Sequence, residues 1–164
     1  MSCLLLCVLT ALLFSKHYLF AMFCGLLEYG IEGIYVPELK TKVQVSYIGL
    51  ALIIVGEVVR KAAILTAKHN FTHDIKMYHR EDHELVTHGI YRFVRHPSYL
   101  GFFLWSIGTQ VLLVNPLCMV GYSIVTWRYF SQRILFEEYF LRQFFGRQYV
   151  EYSKRVPSGI PFVR

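Results

Sequence analysis

Two short groups of residues in this sequence are suited to chemistry, and the first is the polar run at residues 92–98. It contains two arginines, a histidine and a proline, and the apolar residues 102–113 follow it. Proline fits the first turn of a helix, because the N–H that it lacks would be unpaired there. A helix beginning at Pro97 would present unpaired N–H groups and a positive dipole end, which suit an anionic ligand. The run therefore predicts a ligand-binding turn that leads into a helix.

The second group is Arg133 and Glu137, whose spacing of four residues places them on one helix face. A guanidinium binds a carboxylate through two parallel hydrogen bonds, so Arg133 is a candidate receptor for an anionic substrate. Glu137 is a candidate acceptor for donors on a second ligand. The structural alternative is a surface ion pair that stabilises by a few tenths of a kcal/mol. Glu138 projects about 100° away and is expected to be structural.

The composition predicts an all-α integral membrane protein with a single domain. Of the 164 residues, 55% are hydrophobic, and they are concentrated in long runs. The N-terminal run also resembles a signal peptide, but it lacks a basic leader and a clear cleavage site. We therefore expect about five transmembrane helices, at residues 1–14, 18–36, 43–59, 99–113 and 117–129. The domain divides into membrane helices (1–66), a cytosolic cofactor loop (67–98), a helical hairpin (99–129) and a cytosolic C-terminal helix with a cap (130–164), with a helix end expected at Gly146.

The distribution of basic residues predicts the orientation of the chain. The formal net charge is +6, with seven Lys and Arg residues in 60–98 and seven in 128–164. The positive-inside rule places both regions in the cytosol and leaves Lys40 and Lys42 on the opposite face. The glycosylation sequon at Asn70 would then be unused. A nucleic-acid partner is not expected, because no basic motif interleaved with aromatic residues is present.

Metal binding is the main chemical alternative at this level. His69 and His73 form an i,i+4 pair, as do His79 and His83, and this spacing can hold a metal on a helix. A membrane di-iron oxygenase would also need adjacent double-histidine boxes, which are missing, so we expect no metal. The intramembrane carboxylates at positions 28 and 32 either pair with a basic residue or line a polar pocket.

Several motifs resemble those of isoprenylcysteine carboxyl methyltransferases, and the similarity runs from about Glu28 to the C-terminus. The strongest are residues 85–91 (LVTHGIY), 95–101 (RHPSYLG), 106–110 (SIGTQ) and the carboxylate pair 137–138. Shorter matches occur at 37–40 (PELK), 56–57 (GE), 60–63 (RKAA), 144–146 (FFG) and 154–159 (KRVPSG).

The resemblance implies S-adenosylmethionine as cofactor, bound in a cytosolic pocket formed by the 67–98 loop and the C-terminal helix. Arg133 falls at the family's substrate-binding position. Lys76 departs from the polar residue often found at its position, which weakens that contact. The implied cofactor residues are Lys76, His83, Glu84, Leu85, Val86, Tyr91, His96, Pro97, Ser98, Tyr99 and Glu137.

The implied reaction is methyl esterification of the α-carboxylate of a prenylated C-terminal cysteine, a step of CaaX processing on small GTPases and similar proteins. No general base is expected, since this carboxylate is already ionised at neutral pH. The resemblance implies a multi-pass protein of the endoplasmic reticulum membrane, with residues 60–98 and the C-terminus cytosolic. The alternatives are a phospholipid N-methyltransferase or sterol reductase on the same scaffold, and an inactive truncated form that acts only through membrane-protein interaction. Eukaryotic members usually have further N-terminal spans, so the chain is interpreted as a short form, a fragment or an isoform.

Overall fold

The computed structural model describes residues 16–68 and 84–163, and the regular elements in these ranges are all helical. The all-α prediction is therefore confirmed for this part of the chain, whereas the predicted first segment, residues 1–14, lies outside it. The elements are α1 (Lys16–Tyr35), α2 (Pro37–Lys40), α3 (Val43–Ala67), a 3-10 turn (Gly89–Arg92), α4 (Pro97–Leu112) and α5 (Pro116–Arg155).

Prolines start three of these helices, and the sequence analysis predicts one of these starts, at Pro97. Pro97 occupies the first turn of α4, and Asn115 precedes Pro116 at the tight reversal into α5. The predicted end of the third segment at residue 59 is wrong, because α3 continues to Ala67. Arg60 and Lys61 do not stop it, since both residue types have high helix propensity.

The α3–α4 pair is the most extensive helix contact among the described residues, and the helices run antiparallel. Glycines allow their backbones to approach closely. A Cβ on Gly56 would lie 2.6 Å from the carbonyl oxygen of Gly101, and one on Gly101 would lie 2.5 Å from that of Gly56. No real side chain fits at such distances, so this contact holds α4, and the polar turn before it, at one height on α3.

The helix α5 contains a kink where the sequence suggested an end. Gly146 has φ 50° and ψ −125°, a conformation that glycine adopts without strain. The helical geometry is interrupted at Gly146, where the sequence predicts a helix end, and a second helical stretch then runs to Arg155. The resumed turns bring Tyr149 and Tyr152 to the same cavity as the polar turn.

The two carboxylates of α1 fasten the α4–α5 reversal. Glu28 accepts hydrogen bonds from the backbone N–H groups of Leu117, at 2.7 Å, and Cys118, at 2.6 Å, and so caps the start of α5. Glu32 pairs with Lys40 at 2.6 Å, and the same ammonium donates to the two carbonyls that follow α4. Glu32 therefore has a basic partner, and Glu28 serves as a helix cap.

The outer surface of α1 is strongly apolar: Phe20 is 68% exposed, Ile34 77% and Tyr35 78%. Judged by length and apolar content, no helix within residues 16–68 and 84–163 is sufficient to cross a membrane. The count of about five spans stays a prediction.

Candidate active site

A cavity of about 1060 Å³ lies between the extended segment after residue 83, the start of α4 and the middle of α5, with α1 and α3 completing its walls. The structure brings together all the predicted ligand residues that it describes, whereas Lys76 and His83 lie outside the described residues. Those lining the cavity are Glu84, Leu85, Val86, Tyr91, His96, Pro97, Ser98, Tyr99, Arg133 and Glu137.

Tyr99 connects the two side chains of the second chemical group. Its hydroxyl donates to Glu137 Oε2 at 2.5 Å and accepts from Arg133 Nε at 2.9 Å. The Arg133 guanidinium also lies 5.5 Å from the centre of the Tyr99 ring and donates to the Tyr129 hydroxyl at 3.2 Å. Tyr99, in the first turn of α4, therefore bridges the Arg133 guanidinium and the Glu137 carboxylate.

Glu138, the next residue, faces a buried network of opposite charge. Arg95 donates to Glu138 Oε1 from Nε at 2.9 Å and from Nη2 at 2.6 Å, and His96 Nε2 lies 3.2 Å from the same oxygen. The side chains of Arg95 and Glu138 are only 4% and 3% exposed. Burial alone would raise the pKa of Glu138, but hydrogen bonds from His96 and Arg95, with the Arg95 charge, lower this pKa to about 2.

The tail after α5 folds back onto the polar turn. The backbone N–H of Arg95 donates to the Pro157 carbonyl at 2.9 Å, and that of His96 donates to the Ser158 carbonyl at 3.1 Å. The Arg95 side chain reaches Ser153 O at 3.0 Å. The turn that carries His96 is thus held from two sides, by α5 and by the tail.

Aromatic rings of His96, Tyr99, Phe102 and Phe130 form one wall of the cavity. The rings of His96 and Tyr99 are stacked, with centroids 5.5 Å apart and planes 6° apart. Tyr99 stacks on Phe130 at 5.0 Å, and Phe130 meets Phe102 edge-on at 5.7 Å. The cavity lining also includes mainly apolar side chains of α1 and α5, here called the apolar arm: Met22, Leu26, Tyr122 and Val125.

Two further residues line the cavity but are not among the ligand residues predicted from the sequence. Arg60 projects from α3, with its guanidinium 5.5 Å from the Phe102 ring centre. Its signal was a charge inside an otherwise apolar segment. Tyr149 is 1% exposed, and its hydroxyl makes no hydrogen bond to any residue in the described ranges. Tyr149 lies near Glu138 only because α5 resumes after Gly146, which no local pattern indicates.

Comparison with known proteins decides the family. Residues 48–143, more than half of the chain, match the model of the isoprenylcysteine carboxyl methyltransferase (ICMT) family. The chain belongs to the isoprenylcysteine carboxyl methyltransferase family. The resemblance of the motifs is confirmed, and a methyltransferase reaction requires a methyl donor.

Curated relatives and a solved structure support this membership. The chain is 58% identical over 155 residues to protein-S-isoprenylcysteine O-methyltransferase A of Arabidopsis thaliana, covering 94% of this chain and 79% of that protein. It is 47% identical to the Homo sapiens protein-S-isoprenylcysteine O-methyltransferase, covering 92% of this chain and 53% of that protein. A structure of a eukaryotic intramembrane Ras methyltransferase, ICMT, superposes with a TM-score of 0.90 at 48% identity.

This family member differs from some relatives in length. The match to the solved ICMT structure covers 92% of this chain but 54% of the chain in that structure. This chain therefore spans about half the length of that protein. The family match at residues 48–143 includes all the predicted ligand residues that line the cavity. The histidine pairs behind the di-iron alternative lie outside the described residues.

Proposed function

We propose that this chain catalyses the S-adenosylmethionine-dependent methyl esterification of the C-terminal α-carboxylate of a prenylated cysteine in proteins, at a membrane. One observation carries the proposal beyond family membership. Arg133 and Glu137 are bonded to one tyrosine hydroxyl in a cavity with a polar part and an apolar arm. Such a site can bring together a water-soluble donor and a lipid-bearing acid.

The polar part of the cavity fits S-adenosylmethionine. Leu85 and Val86 are half-buried there, and their backbone groups make no hydrogen bond to the rest of the described chain. Such backbone groups suit a ligand with donors and acceptors along its edge. Glu137 Oε2 suits a hydroxyl or ammonium donor. These contacts support the assignment of residues 84–86, Tyr91, residues 96–99 and Glu137 to the cofactor, with Lys76 and His83 retained from the resemblance.

The apolar arm and Arg133 suit the prenylated substrate. Each prenyl methylene removed from water stabilises the bound state by about 0.8 kcal/mol, which favours entry from the lipid side. Arg133 binds the substrate carboxylate, and its contacts with Tyr99 and Tyr129 restrict the direction of its guanidinium. The apolar prenyl group and the charged carboxylate of the substrate are thus bound by different parts of one cavity.

The chemical step needs positioning more than acid or base. An α-carboxylate with a pKa of about 3.5 is ionised at neutral pH, so no group has to remove a proton. When bound, S-adenosylmethionine would supply a methyl group from its sulfonium to a carboxylate oxygen of the substrate, and the sulfur would leave as the neutral thioether of S-adenosylhomocysteine. Arg133 orients the carboxylate oxygen. The Tyr99–Glu137 hydrogen bond positions the proposed cofactor contact next to Arg133. Alignment of two reactants lowers a barrier by as much as about 7–11 kcal/mol.

The membrane setting follows from the same chemistry. Esterification removes the terminal negative charge of a lipidated protein and so strengthens its affinity for the bilayer. We propose the endoplasmic reticulum membrane, about five spans, and a cytosolic location for residues 60–98 and for the C-terminus. Small GTPases and similar prenylated proteins are the proposed partners, with no metal required.

The experiment is a methyl-transfer assay on the purified chain in detergent or nanodiscs. Radiolabelled S-adenosylmethionine is supplied with a farnesylcysteine analogue, and phosphatidylethanolamine serves as the test for the phospholipid alternative. Arg133→Ala is expected to abolish transfer to the farnesylcysteine analogue while donor binding, measured by calorimetry, persists. Arg133→Lys tests the two-pronged geometry at constant charge. Loss of donor binding with substrate affinity intact contradicts the role of Arg133, and methylation of phosphatidylethanolamine alone contradicts the function.

A further inference from the structure

Three arginines line the cavity: Arg133, Arg95, which is paired with Glu138, and Arg60. Arg60 belongs to α3, is half-buried and lies over the ring of Phe102 at 5.5 Å. Within the described parts of the chain, the recorded contact of its side chain is this ring contact, with no ion pair or hydrogen bond. A guanidinium offers five N–H donors, and withdrawing it from water without an acceptor is costly. Among residues 16–68 and 84–163, no carboxylate therefore compensates the charge of this cation.

Lys61 shows that the position of Arg60 is not shared by every basic residue at this end of α3. The Lys61 side chain is 68% exposed and pairs with Glu57 at 3.4 Å, on the outer face of the helix. Arg60, one residue earlier, instead lines the cavity. These two adjacent residues of equal charge therefore lie in different environments, and of the two only Arg60 lines the cavity.

Backbone packing holds Arg60 in place. A Cβ on Gly101 would lie 2.8 Å from the backbone nitrogen of Arg60, so the backbones of α4 and α3 are in contact at Arg60. Phe102, the next residue of α4, supplies the ring under the guanidinium. Phe102 contacts Phe130, which stacks on Tyr99, the ring beneath Arg133. The two guanidiniums therefore lie at the two ends of one aromatic wall.

We propose that Arg60 is a second carboxylate-binding residue of this cavity and that it binds the α-carboxylate of the methyl donor. The inference rests on the proposed function, in which both ligands carry an α-carboxylate and Arg133 takes that of the prenylcysteine. The donor is favoured for Arg60 because, one turn later, α3 contacts a predicted cofactor residue. There the Tyr91 hydroxyl donates to the Ala63 carbonyl at 3.5 Å.

The test compares Arg60→Met with Lys61→Met in the full chain, in detergent. Both changes remove one positive charge from neighbouring residues, but only the first alters the cavity. We expect Arg60→Met to weaken S-adenosylmethionine binding about tenfold or more, as loss of a charged hydrogen bond does. The KM for the farnesylcysteine analogue should change by less than about twofold, as for an independent site. Lys61→Met should match the wild type, and Arg60→Lys should recover part of the binding.

A decarboxylated analogue of S-adenosylmethionine identifies the group that Arg60 binds. We expect this analogue to bind wild type and Arg60→Met equally. Unchanged donor binding in a folded Arg60→Met variant, or an effect confined to the KM for prenylcysteine, overturns the assignment. If Arg60→Met does not fold, Arg60→Lys decides the matter by the same measurements. Wild type that fails to bind S-adenosylmethionine overturns the proposed function and this inference with it.

Discussion

At the scale of single residues, surroundings separate two adjacent carboxylates. Glu137 and Glu138 differ by one position on α5, so their side chains project about 100° apart. Glu137 is 28% exposed and meets Tyr99 in the cavity, whereas Glu138 is 3% exposed and meets Arg95. The first is available to a ligand, and the second neutralises a buried arginine that positions His96.

Glu138→Gln is expected to destabilise the protein strongly. The substitution leaves the Arg95 guanidinium, which is 4% exposed, without its counter-charge. Removal of one partner of a buried pair costs about 3–5 kcal/mol, which denaturant unfolding in detergent would measure. Glu137→Gln is the matched control and should change stability by less than about 1 kcal/mol while weakening donor binding. Equal stability of the two variants would contradict the distinction between the carboxylates.

The depressed pKa of Glu138 predicts sensitivity to acid. Its folded-state pKa of about 2 lies below the ordinary value of 4.5, so deprotonated Glu138 favours the folded state. This contribution is fully present above the unfolded pKa and is lost as the pH falls from 4.5 towards about 2. The free energy of unfolding, measured from pH 6 to 3, should therefore decline less in Glu138→Gln than in wild type. A decline of equal slope in both proteins would remove Glu138 as its cause.

At the scale of helices, the close contact between α3 and α4 sets the position of the site. The polar turn and Tyr99 lie at the start of α4, so any displacement of α4 along α3 moves them relative to Arg133. Gly56 and Gly101 hold the two backbones together where Arg60 enters the cavity. Small residues at this crossing therefore affect the site without touching a ligand.

Gly56→Ala is expected to lower both stability and activity. Its new Cβ would lie 2.6 Å from the Gly101 carbonyl oxygen, a backbone atom that cannot move alone. Overpacking of this kind costs about 1–3 kcal/mol, measurable by thermal unfolding. Gly33→Ala in α1 is the control, because its Cβ would meet nothing within 4 Å. It should be neutral or stabilise by up to about 1 kcal/mol, and equal effects of the two substitutions would refute the contact.

At the scale of the whole molecule, the two polar regions lie at opposite ends of the α3–α4 pair. The cavity lies where α3 ends and α4 begins. The second polar region, made of Glu28 and the Glu32–Lys40 pair, lies at the reversal between α4 and α5. We propose that one end binds ligands, whereas at the other end Glu28 and the Glu32–Lys40 pair hold the helices together. If the protein crosses a bilayer as proposed, these ends face different compartments.

Cysteine labelling tests that orientation. Lys42 and Lys154 are both exposed and belong to the two opposite ends. With the native cysteines replaced by serine, Lys154→Cys should react with a membrane-impermeant thiol reagent in sealed microsomes. Lys42→Cys should react only after the membrane is permeabilised. Labelling of both positions in sealed vesicles would contradict the proposed topology.

Much of the helical framework and part of the candidate site were predictable from sequence. Prolines 97 and 116 mark helix starts, and apolar runs mark the helices, because both signals act within a few residues. Local reasoning placed one end wrongly, because α3 continues past Arg60. It located the interruption at Gly146 but not the helical turns that follow it. In both places the chain beyond the expected end is helical, and at Arg60 and Lys61 this agrees with the high helix propensity of both residue types.

The sequence alone determined the residue types of the site, the helix on which each lies, and the family, since motifs and periodicity are written in short stretches of chain. Only the tertiary structure decided which groups meet. Arg95 and Glu138 are 43 residues apart in sequence and yet share a buried ion pair. Arg60 faces the cavity while Lys61 faces outward. Such pairings depend on how helices pack, because packing brings distant residues into contact and local patterns carry no record of it.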